Sequence, residues 1–557
     1  MILLSSLKKY QSALIITAVF AFSIFAQSVL FHYIIYHEIL FSSLWTHTGD
    51  FIRFYLPHIS IALFLASFVF LFKNKWWIVA VSVFIDVWIL ANLWYFRANN
   101  ILVDKYAIGM IGNLNGFWDS IFALIRPVDF VFVCITICIA VLVIIIKRKC
   151  ERHLMLFSIV LTIAIICGIV DGIMIAKNHQ NDYSFINPFR NYELDFTSQT
   201  IWYVNDHSVI HYLAYTALDL TNTQGEKYTL TDEEENRIRI FINDTLSDSK
   251  PKHKLIICII ESFNKFLLTE SITPNLCNFI NNTNSIFYCP NITSQVVGSP
   301  SADGQMIIQT GILPIQNGAT CFRFPFNKFP SIASLYKDAG IFPHDLNVWN
   351  QGLMSNAYSI DTNVIATDDD IDLFTHTVDY SHKYDNVMVI TLATHYPCTK
   401  YSDKSELKLP EDMPWFMRNL IKCMNVTDKG LNVLLSAITN DTCFANTTLV
   451  ITADHRIRVP ETGKYGEQFN YSEFIPLIIY SPEIKQKTIV TDTCYQMDIY
   501  PTILHLIGCE DYYWKGFGVN LLDSTARHNR PITPEEAYDL SDKLIRADYF
   551  NIQQLTK

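Results

Sequence analysis

The chain has 557 residues, room for more than one domain, with a formal net charge of −11 and a mean hydropathy of +0.21. Half of its residues are hydrophobic, which is high for a wholly soluble protein. Residues 177–557 hold 45 acidic against 30 basic side chains, and that balance excludes nucleic acid, whose binding needs a basic footprint.

The apolar excess lies at the N-terminus. Five stretches approach the roughly 20 apolar residues that a bilayer crossing requires: 12–34, 53–72, 76–95, 128–147 and 154–176. The first carries no small-residue cleavage site after it and reads as a retained anchor rather than a signal peptide. Lys8 and Lys9, Lys73 and Lys75, and the run Lys147 to Arg152 mark three short loops as cytoplasmic. Five crossings then carry everything after about residue 177 to the outside. Residues 1–176 are thus expected to be a five-helix transmembrane domain of the cell (inner) membrane. Within it "GNLNGFWDSIFALIRP" is amphipathic and suits the outer interface. Residues 177–250, polar and aromatic with the charged run "TDEEENRIR", read as a helical connector.

From 252 onward the pattern changes to short apolar runs: "KLIICIIES" (254–262), "NVMVITLATH" (386–395), "TLVITADH" (448–455) and "FIPLIIYSP" (474–482). Runs this short, rich in β-branched residues and apolar on both faces, are the strands of a largely parallel sheet covered by helices on both sides. The expectation for 251–557 is an exported α/β domain with a mostly parallel sheet flanked by helices. Nine cysteines fall in 177–557 without a CxxC spacing, which argues against a zinc-finger-like site there.

Ligands of open α/β sheets bind beyond the carboxyl ends of the strands. The first run ends on Glu261, the second on His395 and the third on the pair Asp454-His455. Each alone could be a strand-end cap facing water; together on one rim they could hold a metal ion. A nucleophile is available between the first two runs. Gly298, Ser299 and Pro300 form a turn, and "SADGQMIIQTGIL" reads as a helix with Ser301 at its N-cap, where a hydroxyl sits at the positive end of the helix dipole. Ser299 is the near competitor.

The motifs "IIES", "SADGQ", "ATHYP", "ITADH" and "YQMDIYPTIL" (495–504) occur in that order. In this set the chain resembles the sulfatase/alkaline-phosphatase superfamily, and with the spans ahead of the domain it is most like membrane-anchored phosphoglycerol transferases of the lipoteichoic acid synthase type. The resemblance implies an alkaline-phosphatase-like fold and one divalent cation held by Glu261, Ser301, Asp454 and His455: Mn²⁺, with Zn²⁺ or Mg²⁺ as alternatives. It also implies that Ser301 attacks a phosphodiester, at a position where the family commonly has Thr. His344 and Trp349 in "PHDLNVWNQG" match substrate-contacting residues, and His395 matches a histidine that contacts the phosphoryl group. One departure stands out: Gln351 follows Trp-Asn where Arg is common in that branch.

Membrane spans beside such a domain suit a membrane phospholipid as donor, with an envelope glycan, polymer or lipid as acceptor. A phosphoethanolamine transferase is the nearest alternative. A sulfatase-type hydrolase is disfavoured, because aligning Pro300 with that family's C/S-x-P-x-R context puts Gly298 at the nucleophile and Ala302 where Arg belongs. A membrane-tethered binding protein would be favoured by a missing ligand, and all four are present.

Overall fold

The computed structural model describes residues 2–38, 51–99, 102–109, 118–146, 152–178, 203–204, 207–220, 228–243, 250–298, 300–316, 320–324, 327–336, 339–343, 370–459 and 462–551. The chain divides into two compact units, one of 1–109 with 121–224 and one of 110–120 with 225–557.

The first unit is helical: α1 (Ile2–Glu38), α2 (Phe51–Ser67), α3 (Trp76–Asn99), α4 (Phe130–Ile145), α5 (Leu154–Asn178) and α6 (Val209–Asp219). Among the described residues four helices are long and apolar enough to cross a membrane, with spans at Gln11–Ile34, Trp76–Ala98, Pro127–Ile145 and Leu154–Met174. The sequence leads one to expect five. The missing one is the second: α2 has 17 residues with Pro57 inside, and a 3₁₀ turn, Phe68–Phe70, replaces its continuation. At 1.5 Å per residue its α-helical part spans about 25 Å, short of a hydrocarbon core of about 30 Å. A proline removes one ladder donor, so hydropathy alone overstated the helix. Several polar groups buried in this unit pair with one another. Gln27 donates to Asp86 at 2.7 Å, Arg97 pairs with Asp129 at 2.7 Å, and Ser28 and His58 lie 2.7 Å apart.

The second unit is built on one sheet of β1 (Lys254–Ile260), β2 (Ile286–Thr293), β3 (Ala339–Pro343), β4 (Asn386–Ile390), β5 (Thr447–Ala453), β6 (Ile475–Tyr480), β7 (Thr488–Ile489) and β8 (Cys494–Tyr495). The order is β3-β4-β1-β5-β6-β2-β7, with β8 beside β2. All four strand runs read from the sequence are present, as β1, β4, β5 and β6. The sheet is mixed rather than mostly parallel. Strands β3, β4, β1 and β5 run parallel, whereas β6 is antiparallel to both β5 and β2. Composition could not reveal this. Five of the six residues of β6 are buried, and a strand covered on both faces is apolar throughout whichever way it runs.

Helices close the sheet. They include α7 (Pro274–Asn282), α8 (Pro300–Thr310), α9 (Asp370–Ser381), α10 (Trp415–Asn440) and α11 (Ile499–Leu506). Phe416, Leu420, Met424, Leu431, Leu434 and Ile438 recur at helical spacing along α10 and are buried. The buried Asp428 on its inner face accepts from the backbone N–H groups of Asn275 and Leu276 at 3.0 and 2.9 Å, which caps the start of α7 and pins it to α10. Within the stretch 177–250, α6 belongs to the first unit and a short helix, Asp232–Arg239, to the second.

Candidate active site at the carboxyl rim of the parallel strands

Because β4, β1 and β5 are adjacent and parallel, their carboxyl ends open on one rim. Glu261 follows β1, His395 follows β4, and Asp454 and His455 follow β5. Glu261 and Asp454 are 2% and 0% exposed, so two carboxylates are buried side by side. Such burial is costly unless charge or hydrogen bonds offset it.

The imidazole of His455 supplies part of the offset. Its Nε2 lies 3.1 Å from Glu261 Oε1 and 3.6 Å from Asp454 Oδ2. Its Nδ1–H donates to the Arg456 carbonyl at 2.8 Å, which turns Nε2 toward the carboxylates, where it donates when protonated. Asp454 Oδ1 accepts from the backbone N–H groups of Ser262 and His455 at 2.9 and 2.7 Å. Its other oxygen, Oδ2, is buried without a hydrogen-bond partner. Glu261 accepts the Ser262 hydroxyl at 2.8 Å and the Ser301 hydroxyl at 3.1 Å. Ser301 itself is 3% exposed.

Ser301 reaches this point because α8 begins at Pro300, which suits the first helical position and places Ser301 one residue inside the first turn. The turn before it is fixed by Asp303, whose Oδ2 accepts from the N–H groups of Val297 and Gly298, each at 2.9 Å. The helix then runs against the end of β5 with no room to spare. A Cβ on Gly304 would sit 2.2 Å from the Asp454 carbonyl oxygen. That carbonyl also accepts from Gln496 Nε2 at 2.6 Å, which ties the segment 495–504 to the cluster.

The charges act on one another. Burial pushes the Glu261 carboxyl up, but the facing His455 more than reverses this and holds it well below the usual carboxylate range. Burial and then the Glu261 charge push the Asp454 carboxyl up. Burial works against a charged His455, yet Asp454 and Glu261 together raise its imidazole above the ordinary value. The cluster is one coupled unit that holds a proton in the absence of a cation.

Glu261, Asp454 and His455 each offer a donor atom within 4.8 Å of the others. Two hard carboxylate oxygens, an imidazole and a neighbouring hydroxyl form a set that suits Mn²⁺, Zn²⁺ or Mg²⁺. The orphaned Asp454 Oδ2 is the observation that decides the fit. A buried carboxylate oxygen with no hydrogen-bond partner and only His455 Nε2 at 3.6 Å is under-satisfied, and a cation at the centre of the cluster would complete it. His395 lies on the same rim, with Nδ1–H donating to the Tyr396 carbonyl at 2.9 Å. His344 and Trp349 fall outside the described residues, as does Ser299.

Reading the sequence by strand ends missed Ser262, Asp303, Gly304 and Gln496. One signal was present. Glycine inside a helix costs about 0.5–1 kcal/mol relative to alanine, so its place in "SADGQ" marks a close approach of backbones.

The lipoteichoic acid synthase N-terminal domain family matches residues 4–224, and the sulfatase family matches residues 289–509. The lipoteichoic acid synthase of Staphylococcus saprophyticus is 22% identical over 513 residues, covering 84% of this chain and 78% of that one. The chain is similar to sulfatase/alkaline-phosphatase superfamily proteins of the lipoteichoic acid synthase kind. Lipoteichoic acid synthase 2 of Bacillus subtilis is 21% identical, with 87% and 80% of the two chains covered. Among solved structures, the integral membrane lipooligosaccharide phosphoethanolamine transferase A of Neisseria meningitidis covers 89% of this chain and 96% of its own at a TM-score of 0.50 and 14% identity, a likeness of fold. The relatives it matches indicate a membrane enzyme of the phosphotransferase class.

Proposed function

We propose that the protein transfers a phosphoglycerol-type head group from a membrane phospholipid, through a phosphoserine at Ser301, to a hydroxyl of an envelope glycan, polymer or lipid outside the membrane. The observation that carries this reading is the Ser301 hydroxyl, 3.1 Å from Glu261 at the first turn of a buried helix and on the same rim as Asp454 and His455. Glu261, Ser301, Asp454 and His455 would hold one divalent cation, for which Mn²⁺ is the first choice. When bound, that cation lowers the pKa of a hydroxyl and offsets charge at phosphorus.

The chain's own residues do the rest. Glu261 accepts the Ser301 O–H and so aims the oxygen. The first-turn N–H groups of α8 favour the anionic phosphoryl group, as helix N-termini do. His395, at the end of β4, contacts that group from the side. The Ser301 Oγ–P bond forms as the bond to the diacylglycerol oxygen breaks, and the hydroxyl proton ends on the diacylglycerol. An acceptor hydroxyl then attacks the same phosphorus, and Ser301 regains a proton as it leaves.

A phosphoethanolamine head group is the second reading, favoured by Gln351, which stands where this branch commonly carries Arg. Head-group-labelled phosphatidylglycerol and phosphatidylethanolamine, each given to the full-length protein in vesicles, separate the two. Phosphatidylglycerol is expected to release diacylglycerol and, on acid quench, to leave a phosphoglycerol mass on the peptide containing Ser301. Ser301→Ala should lose both products, and Ser301→Thr should keep part of the turnover because the hydroxyl survives. A mass on any other residue, or near wild-type turnover by Ser301→Ala, defeats the covalent route.

A further inference from the structure

The edge of the sheet opposite the catalytic rim carries another group of metal-binding side chains. His382 lies between the end of α9 at Ser381 and the start of β4 at Asn386. Asp441 and Cys443 lie between the end of α10 at Asn440 and the start of β5 at Thr447. Strands β4 and β5 flank β1 on either side, so two loops distant in sequence meet below the amino end of one strand. A strand of seven residues at about 3.3 Å each puts this edge roughly 20 Å from Glu261 and Asp454.

His382, Asp441 and Cys443 each offer a donor atom within 4.8 Å of the others. The Nε2 of His382 is 3.6 Å from Asp441 Oδ2. Ligands at about 2.0–2.3 Å around a tetrahedral ion stand about 3.3–3.7 Å from each other, so this separation already matches two ligands of one ion. Asp441 Oδ1 accepts the backbone N–H of Cys443 at 2.8 Å, which leaves Oδ2 to face the imidazole and draws the Cys443 side chain beside the carboxylate. The His382 ring rests against Phe444 with centroids 5.2 Å apart, which holds its orientation. The nearby Lys254 is already engaged by Asp385 at 3.5 Å and by the Ser381 carbonyl at 3.2 Å. An imidazole, a carboxylate and a thiol together favour Zn²⁺ over Mg²⁺ or Ca²⁺, which bind oxygen.

We propose that His382 Nε2, Asp441 and the Cys443 thiolate form a Zn²⁺ site separate from the catalytic cluster, with water as the fourth ligand. The ion ties the loop entering β4 to the loop entering β5 across β1. Binding replaces the Cys443 S–H by an S–Zn bond and releases that proton to solvent. Cys443 and Asp441 are reachable from solvent, so the site exchanges its metal readily.

Co²⁺ gives a direct test, because a thiolate ligand produces a near-ultraviolet charge-transfer band that the oxygen and nitrogen donors of the catalytic cluster cannot give. The full-length protein in detergent, stripped with a chelator and titrated with Co²⁺, should develop this band within two added equivalents, with the amplitude of one thiolate-bound Co²⁺ per chain, and lose it when Zn²⁺ is added. Cys443→Ser should abolish the band. His382→Ala should weaken binding at least tenfold, since even partners outside the ligand shell cost about that much. Asp454→Asn should leave the band in place, which separates this site from the catalytic one. Absence of the band at millimolar Co²⁺, its survival in Cys443→Ser, or unchanged affinity in His382→Ala would each overturn the proposal.

Discussion

Asp454 is the residue on which the proposed catalytic cluster balances. One of its oxygens is held by two backbone N–H groups and the other is buried without a partner. Asp454→Asn keeps an oxygen for the two N–H donors but replaces a charged ligand by an amide. The fold should survive, with metal content and turnover falling by at least two orders of magnitude, as for loss of a charged ligand. Metal analysis beside a circular dichroism melt checks this, and an active Asp454→Asn protein would remove Asp454 from the ligand set. The same residues fix a pH dependence. Asp454 and His455 both hold protons more firmly than their ordinary values, so a cation must expel protons to enter. Glu261 is depressed and already ionised, so it adds no proton to the exchange. Cation affinity should therefore rise with pH and be lost on acidification. Titration calorimetry in buffers of different ionisation heats should show net proton release; a pH-independent affinity would contradict it.

At the scale of elements, the site depends on how close α8 comes to the end of β5. Gly304 allows the approach, because a methyl there would stand 2.2 Å from the Asp454 carbonyl oxygen. Gly304→Ala should cost about 1–3 kcal/mol, as overpacking does. Since Ser301 rides on the same turn of helix, kcat should fall more than so small a change suggests. A thermal melt and initial rates on one preparation test both effects; wild-type kcat in a folded variant would show that the approach does not position the nucleophile. The strand ends that build this site were legible because each apolar run stops on a ligand-type residue and parallel neighbours bring such stops together. Gly304, Asp303 and Gln496 were not legible as a set, because what they touch is fixed only when α8 and the segment 495–504 meet the end of β5. The direction of β6 was hidden for a different reason: burial on both faces erases the alternation by which composition reports a strand's surroundings. The fifth span failed on length, since a hydropathy window does not see that Pro57 and a 3₁₀ turn shorten the helix.

For the whole molecule the question is which side of the membrane the sheet domain faces. The proposed donor presents its head group at the membrane surface, and the proposed acceptor lies in the envelope, so residues 225–557 must be external for the two to meet. The basic clusters Lys8–Lys9, Lys73–Lys75 and Lys147–Arg152 mark the cytoplasmic loops, so an external domain requires the short α2, with its 3₁₀ continuation, to cross beside the four longer helices. Cys443 gives the domain a native reporter. It is exposed, whereas the other exposed cysteines among the described residues, Cys134 and Cys138, lie in the apolar helix α4. A membrane-impermeant maleimide applied with a chelator to intact cells should label the protein, and Cys443→Ser should remove most of that label. If labelling of Cys443 requires permeabilised cells, the domain is cytoplasmic. The phospholipid would then have to be met on the inner leaflet, and an envelope acceptor would be out of reach. That result would leave the proposed cation cluster and the proposed phosphoserine chemistry at Ser301 untouched, so it separates where the enzyme works from how it works.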